Sequence, residues 1–190
     1  MTTFVFDIDK TVAAAAYLAK KSGGRVSIFV LLKMLYSGDR QALIKWHRPI
    51  TGDSFCSMKS GIVLSRTYDL IKGEVLNDNS DMVKWSKHFS PRAGNYISLA
   101  ADPDFDFLSD REREVLDNSF EEVTELIRKH GKIKDVLHEI WPEWKDPGDG
   151  SIRLDPMDIL SQIVDNDDEL ERIRLEIQAV QDAKAALQTT

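Results

Sequence analysis

The sequence predicts a mainly α protein, a compact helical domain around a central buried helix, with a small antiparallel β element and a C-terminal helix. Residues 27–36 are apolar almost all round, as in a helix packed on several sides. Ser109 and Glu112 form a capping box that opens a long amphipathic helix. Strand patterns are confined to two short segments, about residues 54–58 and 95–99.

Composition narrows the classes of partner. The 190 residues are 42% hydrophobic, enough for a core, and carry a formal net charge of -7. Such an acidic chain lacks the clustered Lys and Arg that phosphate contacts need, so nucleic-acid binding is disfavoured. Cysteine and histidine show no zinc spacing, and no cofactor is predicted.

Membrane and export signals are missing from the sequence pattern. The amino end lacks the basic start and apolar stretch of a signal peptide, and Lys33 interrupts the longest apolar run well short of the ~20 residues that cross a bilayer. The lone Cys56 cannot form an internal disulfide. We therefore expect a cytoplasmic protein without membrane contact.

The first helix is predicted from Asp7, a plausible N-cap, to the Gly23-Gly24 pair. The same residues offer an alternative, because Asp7, Asp9 and Thr11 match the D-x-D-x-T pattern of haloacid-dehalogenase-like phosphohydrolases. There, Asp7 would attack phosphorus and Asp9 would protonate the leaving oxygen, with Mg²⁺ neutralising charge. The four alanines that follow favour a capped helix, and no second strand completes the catalytic set.

The central helix is predicted over residues 27–46, bent or divided at Gly38 and stopped before Pro49. A turn at residues 51–53 leads into the first strand, which residues 59–61 are expected to break. A short helix then ends at Gly73.

The second strand is expected to pair with the first, and a polar turn is expected at residues 77–80. Gly131 ends the capping-box helix. Alternate carboxylates at residues 102–106 lack the Gly and Glu of a calcium loop, which leaves an acidic surface loop.

Residues 146–150, Asp-Pro-Gly-Asp-Gly, form the best linker candidate. They divide the chain into a domain at 1–150 and a helical extension at 151–190, which packs on that domain or on a partner. The last helix repeats apolar residues at helical spacing between 168 and 187, a stripe open to a partner or a second copy. The stripe comprises Leu170, Ile173, Ile177, Val180 and Leu187.

Residues 33–73 resemble the signature of the Panacea, or SocA-like, domain, which occurs in prokaryotic antitoxins and phage-associated proteins. The matching residues are Leu35-Tyr36, Asp39-Arg40, Arg48-Pro49-Ile50-Thr51-Gly52-Asp53, Phe55, Met58-Lys59, Gly61, Val63 and Tyr68-Asp69-Leu70-Ile71-Lys72. Weaker similarity extends over roughly residues 5–160. Ile62 stands where the family usually has proline, which predicts a less rigid loop at that point.

The resemblance implies an antitoxin without enzymatic activity, which binds and neutralises a cognate toxin encoded nearby. One relative is described as an adaptor that delivers its toxin to an AAA+ protease. The signature supplies our candidates for structural positions and partner surface. They are Tyr36, Asp39, Arg40, Arg48, Pro49, Thr51, Gly52, Asp53, Phe55, Met58, Lys59, Gly61 and Tyr68.

Two polar groupings invite a chemical interpretation. Cys56 and His47 could be read as nucleophile and base, but no third orienting group accompanies them. Asp39 and Asp53 are predicted to accept from Arg40 or Arg48 and so to pin the turn against the central helix. His138 is expected to hydrogen-bond a backbone or carboxylate group in the core.

Overall fold

Helices dominate the computed structural model, which describes residues 1–74 and 79–188. The helices in this part of the chain are α1 (Ile8–Lys21), α2 (Ile28–Trp46), α3 (Ser65–Lys72), α4 (Asn79–Ser86), α5 (Asp110–His130), α6 (Lys134–Ile140), α7 (Pro156–Leu160) and α8 (Asp167–Gln188). The strands are β1 (Arg25–Ser27), β2 (Phe55–Met58), β3 (Gly61–Leu64), β4 (Tyr96–Ser98) and β5 (Ser151–Arg153). A 3₁₀ turn spans Phe105–Phe107. The predicted mainly α class with a minor β element is confirmed.

Helix α2 is the centre of the fold, packed against α1, α5, α7 and β3. It runs unbroken from Ile28 to Trp46, so the predicted bend or division at Gly38 is wrong. A Cβ at Gly38 would lie 3.1 Å from Leu116 Cδ2 of α5. The glycine therefore serves close packing of two helices, which outweighs its low helix propensity.

The two predicted strands are present, but they do not pair with each other. β4 pairs with β1, whereas β2 lies between β3 and β5, all antiparallel. Lys59 and Ser60 form the tip of a hairpin, with Gly61 at φ 95°. The predicted strand break is thus a tight turn, and the short loop makes pairing with β3 the least costly closure.

Ile62 lies in β3, opposite Ser57, with its side chain fully buried. The loop expected to be less rigid at this departure from the family pattern is therefore a strand in the core. An isoleucine suits that position because its branched side chain packs well in a buried strand, and it keeps an N–H that proline lacks.

Local cap predictions are confirmed. Asp7 accepts a hydrogen bond from the Lys10 amide at 3.0 Å and caps α1. The Ser109 capping box opens α5, and Gly131 lies at that helix's C-cap. The predicted polar turn at 77–80 lies partly outside the described residues, and α4 begins at Asn79.

The segment after residue 150 joins the same core. β5 pairs with β2, α7 packs on α2, and α8 buries Ile173 and Ile177. Leu175 and Val180 remain 61% and 42% exposed on α8. A domain boundary at 150 stays a prediction. The side chains of Lys184 and Leu187 lie outside the described part of the chain.

No helix among residues 1–74 and 79–188 is both long and apolar enough to cross a membrane.

Candidate functional site

A buried carboxylate organises the turn that follows α2. Asp39, 1% exposed, accepts hydrogen bonds from the amides of Ile50 and Thr51 at 2.8 and 3.0 Å, and from the Thr51 hydroxyl. Burial raises the pKa of Asp39 to about 7, against the effect of these donors. The turn is therefore fixed by backbone amides donating to a side chain on the central helix.

A second buried carboxylate joins the same turn to α3. Asp53 accepts from the Ser54 and Arg66 amides at 2.6 and 3.0 Å, and from the amide and hydroxyl of Thr67 at 2.8 and 2.7 Å. Burial raises its pKa as well. The N-cap residue of α3, Leu64, has no side-chain oxygen, so Asp53 satisfies the first amides of the helix from outside it.

Neither arginine predicted as a partner donates to these carboxylates in the described part of the chain. Arg40 donates to Glu143, from Nε to Oε1 at 2.7 Å and from Nη2 to Oε2 at 3.3 Å, and the Tyr36 hydroxyl donates to the same carboxylate. Arg48 is exposed. The predicted arginine network is wrong because backbone amides and threonine hydroxyls donate to the oxygens of Asp39 and Asp53 instead.

Glu143 is the residue that sequence analysis missed in this cluster. Its side chain is fully buried, 103 residues from Arg40 in sequence. Burial acts to lower the pKa of Arg40, but Glu143 holds it above the ordinary value. Burial raises the pKa of Tyr36, whose ring packs edge-on against Phe55 at 5.4 Å and Trp141 at 4.8 Å between centroids.

The turn also docks on the amino-terminal segment. The Asp7 amide donates to the Thr51 carbonyl at 2.8 Å, and a Cβ at Gly52 would lie 2.1 Å from the Val5 carbonyl oxygen. Gly52 has φ 68°, so glycine is required by both backbone conformation and space. Pro49 is buried beside it, and Arg48, Pro49 and Gly52 line a shallow cleft against residues 4–10.

Four of the candidate residues meet at a different cleft of about 430 Å³. These are Met58, Lys59, Gly61 and Tyr68, on the β2–β3 hairpin and α3. The opposite wall comes from the start of α2 and from the β4 region, and it includes Phe29, Lys33 and Arg92. The cleft therefore has an aromatic and aliphatic lining with several cations.

Lys33 is the unexpected member of this cleft. It is 1% exposed, and its Nζ donates to the Ile62 carbonyl at 2.7 Å and lies 5.2 Å from the centroid of the Phe29 ring. Burial lowers its pKa to about 7. In the sequence its signal is a single lysine inside an apolar helical run.

His138 does not make the predicted core hydrogen bond. Its ring stacks on Trp144 with centroids 3.6 Å apart and an interplanar angle of 7°. Nε2 is buried and has no hydrogen-bond partner among the described residues. Burial lowers the pKa of this imidazole. The stack fixes the ring where α6 meets the hairpin, so aromatic packing outweighs the missing hydrogen bond.

The residues of the enzymatic alternatives have structural partners. Asp7 caps α1 without a preceding strand, and Asp9 pairs with Lys84 at 2.7 Å. Burial raises the pKa of the Cys56 thiol, which disfavours a thiolate, and His47 faces Glu176 at 3.5 Å. Within the described ranges, no three His, Cys, Asp or Glu side chains gather to hold a metal ion.

Comparison with known proteins gives one family. The family model described as antitoxin SocA-like, Panacea domain matches residues 31–145, more than half of the chain. This span contains α2 from its fourth residue onward, the buried turn, the hairpin and Glu143. No curated protein and no solved structure matches the chain.

Proposed function

The chain belongs to the SocA-like Panacea domain family of antitoxins, and on this premise we propose that it neutralises a cognate toxin by direct protein contact. The observation that carries the proposal is that candidate residues from the β2–β3 hairpin and from α3 line one cleft. Met58, Lys59, Gly61 and Tyr68 come from two elements and line it together.

The buried members of the signature support the cleft from behind. Asp39 and Asp53 fix the turn between α2 and β2, and Asp53 also sets the start of α3, the helix that carries Tyr68. A surface held in this way loses little conformational entropy when a partner binds. The signature therefore combines a rigid support and a recognition surface.

The size and charge of the cleft define its role in such a complex. At about 430 Å³ it accommodates one or two side chains, so it is an anchor point within the ~1,600 Å² of a standard interface. Lys59, Lys72 and Arg92 line the cleft beside apolar side chains, in a chain whose net charge is -7. We propose that the toxin places an acidic, apolar surface here.

Rescue and binding by matched charge reversals test the proposal. Co-expression with the product of the neighbouring small open reading frame should relieve growth arrest and give a stable complex. Lys59→Glu should weaken that complex by roughly tenfold, whereas Lys20→Glu should change it by less than about twofold. Each lysine is exposed and pairs with its own exposed aspartate, Lys20 with Asp102 and Lys59 with Asp149. Only Lys59 lines the cleft. Equal effects would remove the cleft from the interface.

Neutralisation by contact differs from delivery to a protease in one measurable way. If binding alone is sufficient, the toxin persists in rescued cells at an unchanged half-life. If the chain is instead an adaptor for an AAA+ protease, the toxin disappears when the antitoxin is present and returns in a protease-deficient strain. A pulse-chase of the toxin separates the two modes.

We propose that no catalysis by Asp7 or Asp9 contributes to this function. Their carboxylates cap α1 and pair with Lys84. Asp7→Asn keeps a capping side chain and removes the nucleophile. Undiminished rescue by this variant is expected, and a phosphatase activity lost in Asp7→Asn would contradict the proposal.

The C-terminal stripe has a smaller part in partner contact than its sequence suggests. Ile173 and Ile177 pack on their own chain, which leaves Leu175 and Val180 accessible between residues 168 and 187. We propose that Leu175 and Val180 contact the toxin or a second copy of the chain. Truncation after Gly150 would remove β5 and α7 from the core, so Leu175→Glu in sedimentation and binding assays is the appropriate test.

A further inference from the structure

Two basic nitrogens with unused hydrogen-bonding capacity lie beside Gly61, one on Lys33, which lines the cleft, and one on His138. An ammonium group has three donors, and Lys33 Nζ uses one on the Ile62 carbonyl. His138 Nε2 is buried without a partner among the described residues. A buried polar atom left unpaired is costly, so these two nitrogens mark a point where a partner atom gains free energy on binding.

Both nitrogens lie close to Gly61. A Cβ built on Gly61 would lie 3.0 Å from Lys33 Nζ and 3.9 Å from His138 Nε2. Gly61 has φ 95°, a backbone conformation that residues with a side chain rarely adopt. A side chain at this position would therefore crowd the Lys33 ammonium, and glycine leaves the space beside both nitrogens open.

The surrounding contacts hold the nitrogens in position. The imidazole of His138 stacks on Trp144, whose Nε1 donates to the Met58 carbonyl at 3.1 Å. The ammonium of Lys33 lies over the Phe29 ring. Both groups are therefore oriented before any partner arrives, which is the property of a built recognition site.

Lys33 differs from the neighbouring lysines of the cleft in its ion pairing. Lys59 pairs with Asp149, and Lys72 pairs with Asp69 and Glu74, all near the solvent. In the part of the chain that the structure describes, Lys33 has no carboxylate within salt-bridge distance, although it is almost fully buried. A buried ammonium is stabilised most by an opposite charge with direct hydrogen bonds.

We propose that the cleft beside Gly61 receives one aspartate or glutamate side chain of the toxin, whose carboxylate accepts from Lys33 Nζ and His138 Nε2. This inference rests on the proposed antitoxin function. Two oxygens suit two donors, and the aliphatic stem of the acidic side chain lies against the apolar walls formed by Phe29 and Met58. A neutral acceptor would leave the ammonium uncompensated.

The first arm of the test changes the two nitrogens separately. Lys33→Met removes the charge and keeps the aliphatic stem, and His138→Phe keeps a ring for the Trp144 stack. Each variant should bind the purified toxin at least roughly tenfold more weakly by calorimetry. Lys20→Met, a matched change away from the cleft, should bind within about twofold of the wild type. Thermal melting of each variant establishes that it is folded.

The second arm identifies the carboxylate on the toxin. Each Asp and Glu of the toxin is changed singly to Asn or Gln and titrated against the wild type and against Lys33→Met. One position should lose at least roughly tenfold against the wild type and little against Lys33→Met, the sign of a direct pair in a double-mutant cycle. Wild-type affinity in either Lys33→Met or His138→Phe, or the absence of any such toxin position, overturns the inference. If the wild-type chain forms no complex with the toxin, both this inference and the antitoxin proposal fail. If the wild type binds tightly and Lys33→Met binds equally well, only this inference fails.

Discussion

Asp53 caps a helix that begins twelve residues later, because its carboxylate accepts from the amide and the hydroxyl of Thr67 at 2.8 and 2.7 Å. The same carboxylate accepts from the amides of Ser54 and Arg66. One side chain thus joins the end of the signature turn to the first turn of α3. The position of Tyr68 in the cleft depends on this connection.

Replacing Asp53 with alanine should lower the free energy of unfolding by about 2–4 kcal/mol, because the helix loses its cap and buried donors lose their acceptor. Urea unfolding followed by circular dichroism measures the change. Asp149→Ala provides the control, since its side chain is 98% exposed and should cost less than about 0.5 kcal/mol. Comparable losses in the two variants would contradict the capping role.

Glu143 is expected to matter more for stability than the Tyr36 hydroxyl that donates to it. Glu143→Ala leaves Arg40 partly buried without its counter-ion, and we expect a loss of about 3–5 kcal/mol. Tyr36→Phe removes only the hydroxyl that donates to the Glu143 carboxylate and should cost about 1.5–3 kcal/mol. The two unfolding curves, measured under identical conditions, decide the order. A larger effect of Tyr36→Phe would refute the assignment of Glu143 as the counter-ion.

Two glycines with similar backbone angles allow strain and steric overlap to be separated. Gly52 and Gly73 have φ of 68° and 79°, but a Cβ would meet the Val5 carbonyl oxygen at 2.1 Å in the first case and nothing within 4 Å in the second. Gly73→Ala should therefore cost about 1 kcal/mol, from the left-handed conformation alone. Gly52→Ala should cost at least roughly 2 kcal/mol more, because backbone must move. Denaturant midpoints for both variants test the difference, and equal costs would show that the turn does not depend on its contact with Val5.

Local rules predicted the elements that depend on neighbouring residues. Asp7 as a cap, the Ser109 capping box and Gly73 as a helix end involve partners within a few positions, so their chemistry is legible in sequence. Strand partners depend on competition between distant segments. The pairing of β2 with β3 and β5 was missed for that reason.

The candidate site shows the same division. The family signature named its residues, but not that Asp39 and Asp53 face inward while Met58 and Tyr68 line a cleft. Glu143 lies more than a hundred positions from the residues that it joins, and no local pattern marks it. Lys33 carried a visible signal, a charge within an apolar helix, whose meaning depends on the position of the Ile62 carbonyl.

That buried lysine makes stability depend on pH in a way that a single substitution isolates. The pKa of Lys33 falls from 10.5 in its ordinary state to about 7 in the folded chain. Between these values the unfolded chain binds more protons than the folded chain, so the contribution of Lys33 disfavours folding fully below pH 7 and fades as pH rises toward 10.5.

Lys33→Met removes this contribution. The variant should exceed the wild type in unfolding free energy at pH 6, and the difference should shrink by roughly 2–3 kcal/mol at pH 9. Urea titrations of both proteins at the two pH values measure the difference, in which the titration of other groups cancels. Lys20→Met, whose lysine is exposed, should show a difference from the wild type that hardly changes with pH. A pH-independent difference for Lys33→Met would mean that the lysine keeps its ordinary pKa in the folded chain.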